Sequence, residues 1–332
     1  MRPFAYSRPA SLAEAVTLEE RAQGVGEPAA YLGGGTTLVD LMKLGIATPG
    51  RVIDIAAVGD DRIVSTQRGL HLGAGVTMAD AAAHPIVQRD YPVIAQSLAL
   101  AASHQLRAMA QLGGNVLQRT RCAYFRDTSW QACNKRQPGS GCAAIDGVHR
   151  QHAVLDTSDA CIAAYPGDFA QALIVLDATV NLVGKGGARR LPFADLHRSP
   201  GATPHVETAL RPGEVIRGFD IPAGPHTRRS LYLKIRDRQS FAFALASAAV
   251  ALAMDGDRVG EARIAMGGVA TRPWRAREAE DYLKGRRLSP DAAEEAGRLA
   301  FRAATVRPQN AFKVDLGAAV VTEALLKAAA LS

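Results

Sequence analysis

The sequence predicts an α+β fold in two domains. Strand-like and helix-like stretches fall into separate blocks. A break rich in Pro and Gly at Pro222–His226 is the best linker. A chain of 332 residues is long enough for two cores, with a third possible. The division is 1–222 and 227–332, with an irregular insertion at 119–161.

The elements follow in order. Ser11-Leu12-Ala13-Glu14 is a capping box, so a helix runs to about Ala22. Pro28 to Leu32 is a short strand. Gly33-Gly34-Gly35 turns the chain, and Thr36 to Lys43 is a short helix. Strand, glycine turn and helix start together form an anion cradle, because amide N–H groups converge there. A glycine triplet alone is equally an ordinary tight turn. Arg51–Ile55 is a buried-type strand, and Leu70, Leu72 and Ala74 alternate as another. Thr77–Ala83 and Val93–Ala102 are Ala-rich helices separated by Pro85 and Pro92. A second glycine turn, Gln111-Leu112-Gly113-Gly114-Asn115, follows.

Residues from Arg119 to about Asp159 show no period, and so long an irregular stretch needs another source of order. Cys161–Tyr165 then reads as a strand, Pro166-Gly167-Asp168 starts a helix to Leu176, and Thr179–Val183 and Glu214–Ile221 are strands. Past the linker, strands are expected near Ser230–Arg236, Ser247–Met254 and Ala262–Val269. Helices are expected near Arg275–Leu283, Pro290–Ala304 and Leu316–Ala330, the middle one capped by Ser289.

Composition excludes several classes. The 39 basic and 32 acidic residues are spread along the chain, and aromatics are only 5%. That is neither the footprint nor the stacking platform of a nucleic-acid binder. The longest apolar stretch, Phe241–Met254, falls short of the roughly 20 residues of a membrane span. The N-terminus has no apolar h-region and no twin arginine. A cytoplasmic protein is expected, or a periplasmic one exported with a signal-bearing partner.

All four cysteines, Cys122, Cys133, Cys142 and Cys161, follow the second glycine turn in one window. Their spacing is that of neither a zinc ribbon nor a ferredoxin. Disulfides are uncommon in large unexported chains. Buried structural cysteines belong in apolar sequence, whereas these lie in polar, irregular sequence. Arg119, Arg121, Arg126, Lys135, Arg136 and Arg150 surround them, which favours a negatively charged centre and lowers thiol pKa values. Iron–sulfur, zinc and purely structural readings all remain open on these grounds.

The chain resembles the FAD-binding subunits of molybdenum hydroxylases, the xanthine dehydrogenase and aldehyde oxidoreductase family. The resemblance runs from Phe4-Ala5-Tyr6 through Gly33-Gly34-Gly35-Thr36, Gly113-Gly114-Asn115, Pro166-Gly167-Asp168 and Lys234-Ile235-Arg236. It continues to Gly267-Gly268-Val269-Ala270 and Pro273-Trp274-Arg275. Leu117–Cys122, Cys133–Arg136 and Pro138–Cys142 resemble the aldehyde oxidoreductase branch, that of the periplasmic enzymes, whose insertion binds a [4Fe–4S] cluster.

The resemblance implies a two-lobed FAD-binding domain of the vanillyl-alcohol oxidase type, then a smaller α+β domain like the CO dehydrogenase flavoprotein C-terminal domain. It places the FAD pyrophosphate against Ala30, Tyr31, Leu32, Gly33, Gly34, Gly35, Thr36, Thr37 and Leu38. Gln111, Gly114, Asn115 and Thr120 would contact the flavin and phosphates, Gln111 standing where most members have Thr or Ser. Asp168 would contact the ribitol chain, its alternative being a helix N-cap. Lys234 would approach the isoalloxazine, its alternative being a solvated strand-edge lysine. The four cysteines would ligate the cluster, with His149 and His152 left as packing or surface residues.

The resemblance further implies one subunit of a heterotrimer with a molybdenum-cofactor subunit and a [2Fe–2S] subunit. Electrons would pass to FAD here and on to an external acceptor, and no catalytic acid, base or nucleophile is expected in this chain. The rival readings are the flavin subunit of a xanthine dehydrogenase or hydroxybenzoyl-CoA reductase, and a zinc-stabilised nucleotide-binding module.

Overall fold

Ser11 caps the first helix, Leu12–Gly24, by accepting the Glu14 amide at 3.1 Å. Glu14 reaches back to the amide of Ala10, one residue earlier than a capping box requires. In this computed structural model, which describes residues 1–331, that helix packs on a three-stranded parallel sheet. β1 (Ala5–Ser7), β2 (Ala29–Leu32) and β3 (Arg51–Asp54) lie in the order β1-β3-β2. β2 is therefore an edge strand, and the first glycine turn leaves its C-terminal end.

The second lobe is a five-stranded antiparallel sheet. It comprises β4 (Ile63–Thr66), β5 (Gly69–Gly73), β6 (Thr179–Gly184), β7 (Gly187–Pro192) and β8 (Val215–Pro222), in the order β4-β5-β8-β6-β7. Leu70, Leu72, Val180, Leu182 and Phe219 turn inward on alternate positions and meet the helices Pro92–Ala99 and Phe169–Val175. Phe219 stands at the centre, edge-on to Phe169 at 5.8 Å and to Phe193 at 6.1 Å.

β9 (Ser230–Ile235), β10 (Ala246–Asp255), β11 (Arg258–Gly267) and β12 (Trp274–Arg275) form the C-terminal antiparallel sheet, in the order β12-β11-β10-β9. The helices Arg277–Leu283, Pro290–Ala300 and Phe312–Ala329 cover one face. The other face lies on the helices Pro92–Ala99 and Phe169–Val175 of the second lobe. Along β10, Ala248, Val250 and Leu252 join the C-terminal core, whereas Ala249 and Ala251 join the second-lobe core. The apolar run around Ser247–Met254 is thus a strand buried on both faces.

Three sequence expectations change. Cys161–Tyr165 is extended but is not a strand, because its backbone partners are loops: Ile162 O accepts from Ala153 N, and Tyr165 N donates to Ala270 O. The strand expected at Thr179–Val183 gains an unexpected partner, because Gly184–Gly187 opens a hairpin whose return strand is β7, an exposed edge without an apolar pattern. The insertion is also more ordered than its sequence suggests. It contains the short helix Ala123–Arg126 and a bridge between Cys133 and Cys142. Its second half is pinned to the C-terminal domain: Val154 N and Leu155 N donate to Val269 O, and Asn310 Nδ2 donates to Ala153 O.

Candidate functional site

The two glycine turns face each other. Gly34 sits so close to the second turn that a Cβ there would lie 1.7 Å from the Met109 carbonyl oxygen. Its φ is not positive, so the need for glycine at this position is this contact alone; Gly35 holds the left-handed conformation, at φ +75°. Gln111 joins the turns through its side chain. Its Nε2 donates to Ala56 O at 3.1 Å, and its Oε1 occupies the space a Cβ on Gly33 would need.

Between the turns, the insertion and the β9–β10 connection lies a cavity of about 1000 Å³. Tyr31, Gly33, Gly34, Gly35, Thr36, Thr37 and Leu38 line one side. Ala30 and Leu32 stay within β2, off the wall, since only the alternate residue of that strand faces the cavity. Gln111, Gly114, Asn115, Thr120 and Asp168 line it as well. Lys234 does not.

Three details fit a dinucleotide better than packing. No heavy atom lies within 4 Å of a Cβ built on Gly114, so the protein itself does not require glycine there; the bare backbone leaves room on the cavity side. Asn115 Oδ1 is buried without a partner, and the Thr37 hydroxyl does not cap its own helix. Thr120, by contrast, is occupied internally: its hydroxyl donates to Ala164 O at 2.9 Å and accepts the Cys122 amide.

Asp168 is not a helix cap, as its carboxylate takes no amide of the helix it precedes. It accepts instead from Lys234 Nζ at 2.7 Å and from the Tyr232 hydroxyl. Burial raises the Asp168 pKa, and the Lys234 ammonium opposes that shift. Lys234 is no solvated edge lysine, since its side chain is 1% exposed and also donates to Leu100 O.

All four cysteines are free, and all four line one small cavity beside the larger one. Cys122 lines both. Burial pushes its thiol up to about 12 and raises Cys161 too, with the neighbouring cysteines adding to the shift. A neutral thiol is therefore favoured until a cation takes the proton's place. Among the described residues no group of three or more His, Cys, Asp or Glu is placed to hold a metal ion.

His149 and His152 are both buried, which selects packing over the surface alternative. His152 Nε2 lies 3.2 Å from Cys122 Sγ. Burial, then the charges of Lys313, His149 and Arg307, lower His152 to about 4, so its ring is neutral. His149 packs as expected, exchanging contacts with Gln309. The basic residues around the cysteines mostly have acidic partners: Arg126 and Arg121 with Asp40, Arg119 and Lys135 with Glu207.

A cofactor-sized cavity, floored by two glycine turns and shared by two lobes, is the kind of site a dinucleotide cofactor occupies. The FAD binding domain in molybdopterin dehydrogenase matches residues 2–224, and the CO dehydrogenase flavoprotein C-terminal domain matches 231–328. The chain belongs to the FAD-binding subunits of the molybdenum hydroxylases. It is 44% identical to the aldehyde oxidoreductase FAD-binding subunit PaoB of Escherichia coli K12, covering 99% of both chains. It is 29% identical to the carbon monoxide dehydrogenase medium chain of Afipia carboxidovorans, over 90% of this chain and 85% of the relative. The solved structure of reconstituted CO dehydrogenase from Oligotropha carboxidovorans superposes over 100% of both chains with a TM-score of 0.76 and 26% identity.

Proposed function

We propose that this chain is the FAD-binding and [4Fe–4S] subunit of a heterotrimeric molybdenum-dependent aldehyde oxidoreductase. A molybdenum-cofactor subunit would oxidise the aldehyde, and a [2Fe–2S] subunit would pass electrons to this chain, which hands them to an external acceptor. The observation that carries the reading is the convergence of four free cysteines on one cavity directly beside the glycine-lined one. The 44% identity to PaoB supports the aldehyde branch over the carbon monoxide relatives.

Bound FAD supplies an isoalloxazine ring that accepts and releases electrons. The chain's own residues bind and orient it. Gly33, Gly34 and Gly35 bring backbone amides to the pyrophosphate, next to the helix Leu38–Lys43. Gly114 leaves space for the ring system, and Asn115 offers its unpartnered oxygen. Asp168 acts from the wall as an acceptor, held in place by Lys234 and Tyr232. Lys234 acts through Asp168 and not by direct contact. Cys122, Cys133, Cys142 and Cys161 would hold the cluster through four thiolates.

Co-expression with the neighbouring subunits, followed by purification and metal and flavin analysis, tests the reading. One FAD per copy of this chain is expected, with four irons beyond those of the [2Fe–2S] subunit and molybdenum in the complex. A colourless zinc protein would overturn it in favour of a nucleotide-binding module. A complex that oxidises xanthine and not aldehydes would assign it to another branch.

A further inference from the structure

We propose that His152 is the hydrogen-bond donor that sets the reduction potential of the centre held by Cys122, Cys133, Cys142 and Cys161. The inference rests on the cluster reading above. Nε2 of His152 lies 3.2 Å from Cys122 Sγ. A thiolate bound to iron has lone pairs and no proton, so the proton between the two atoms belongs to the imidazole. Nδ1 is then the lone-pair nitrogen, and it is buried without a partner. The buried His149 and His226 also leave Nδ1 without a partner, so the contact with Cys122 is what distinguishes this ring. This ring makes its single side-chain hydrogen bond to a sulfur.

The ring is held from outside the cysteine segment. Lys313, fully buried on the helix Phe312–Ala329, donates to Gly268 O at 2.6 Å and to Gln151 O at 3.3 Å. Asn310 Nδ2 donates to Ala153 O at 3.1 Å. The residues on either side of His152 are thus clamped to the C-terminal domain, while Cys122 belongs to the first half of the insertion. Tyr124 closes the remaining side, its ring centroid 6.3 Å from that of the imidazole. The donor is fixed in place and does not follow the sulfur.

An N–H directed at a ligand sulfur stabilises the more negative, reduced centre more than the oxidised one, and so raises its potential. Both Cys122 and His152 line the large cavity, so this bond stands in the wall between the two cofactor sites.

The test uses the co-purified complex, with potentiometric titration of the reduced cluster's EPR signal in the parent, His152→Phe and His152→Gln proteins. His152→Phe keeps a ring but has no donor, and is expected to retain its iron and titrate at a lower potential. His152→Gln restores an N–H and is expected to recover much of the shift. In the parent labelled with 15N-histidine, a nitrogen hyperfine coupling to the reduced centre is expected. A His152→Phe potential equal to the parent's, or no 15N coupling, overturns the proposal. Where His152→Phe loses its iron, the 15N measurement on the parent decides. A parent without a [4Fe–4S] signal overturns the cluster reading and this inference with it, whereas a full [4Fe–4S] signal with an unmoved potential overturns this inference alone.

Discussion

Lys234 Nζ lies 2.7 Å from Asp168 Oδ2, with the two side chains 1% and 4% exposed. The family likeness leads one to expect two separate flavin contacts; the fold makes one buried ion pair, with Asp168 at the cavity and Lys234 behind it. Removing one partner leaves the other charge stranded, at a cost of about 3–5 kcal/mol. Lys234→Met should therefore destabilise the protein by that order in chemical denaturation. Lys234→Met combined with Asp168→Asn should recover part of the loss. A Lys234→Met protein as stable as the parent would show that the pair does not govern this wall.

The glycines separate by function. Gly114→Ala should leave the fold intact, because nothing lies within 4 Å of the added carbon, yet weaken FAD retention. Gly34→Val should lose both, because the side chain would enter the Met109 carbonyl. Flavin stoichiometry read beside the melting temperature distinguishes them. Full flavin content in Gly34→Val would mean that the first turn is not the cradle.

Cys142→Ser should lose the cluster. Limited proteolysis should then cut within 122–147, where the cysteines join the short helix Ala123–Arg126 to the turns around Cys133 and Cys142. The segment 149–159 should stay protected, because Lys313, Asn310 and the Val269 carbonyl hold it independently. Cleavage spread evenly over both halves would contradict that division.

Stability should fall on the acid side. Burial lowers His197 from 6.5 to about 4, and lowers His226 similarly. Between those values the unfolded chain binds protons that the native one refuses, so stability is complete above about pH 6.5 and is lost as pH falls toward 4. Denaturation midpoints at pH 7 and pH 5 check this. His197→Gln, which keeps a donor for Val116 O, should flatten the slope.

Much of the frame was legible in the sequence. The helix begun at Ser11, the strands at 29–32, 51–54 and 215–222, and the C-terminal helices follow from caps and periodicity. Both glycine turns, and the grouping of the four cysteines in one window after the second turn, stand out in the sequence. What escaped depends on distant partners. β7 has no apolar alternation because its strand is exposed, so only its pairing with β6 reveals it. His152 carries no local signal, since its contact with Cys122 spans 30 positions. Lys234 reads as an edge lysine until Asp168, 66 positions earlier, is placed against it.

β10 has an implication for how the molecule is made. Ala249 and Ala251 supply one side of a hydrophobic interior whose other walls come from residues before 222, and Ala248, Val250 and Leu252 serve a different interior on the opposite side. During synthesis, the helices Pro92–Ala99 and Phe169–Val175 leave the ribosome well before the strand they rest on. The N-terminal portion therefore waits, incompletely covered, until residues 246–255 emerge, and the boundary near 222–226 divides the sequence without dividing the folding unit.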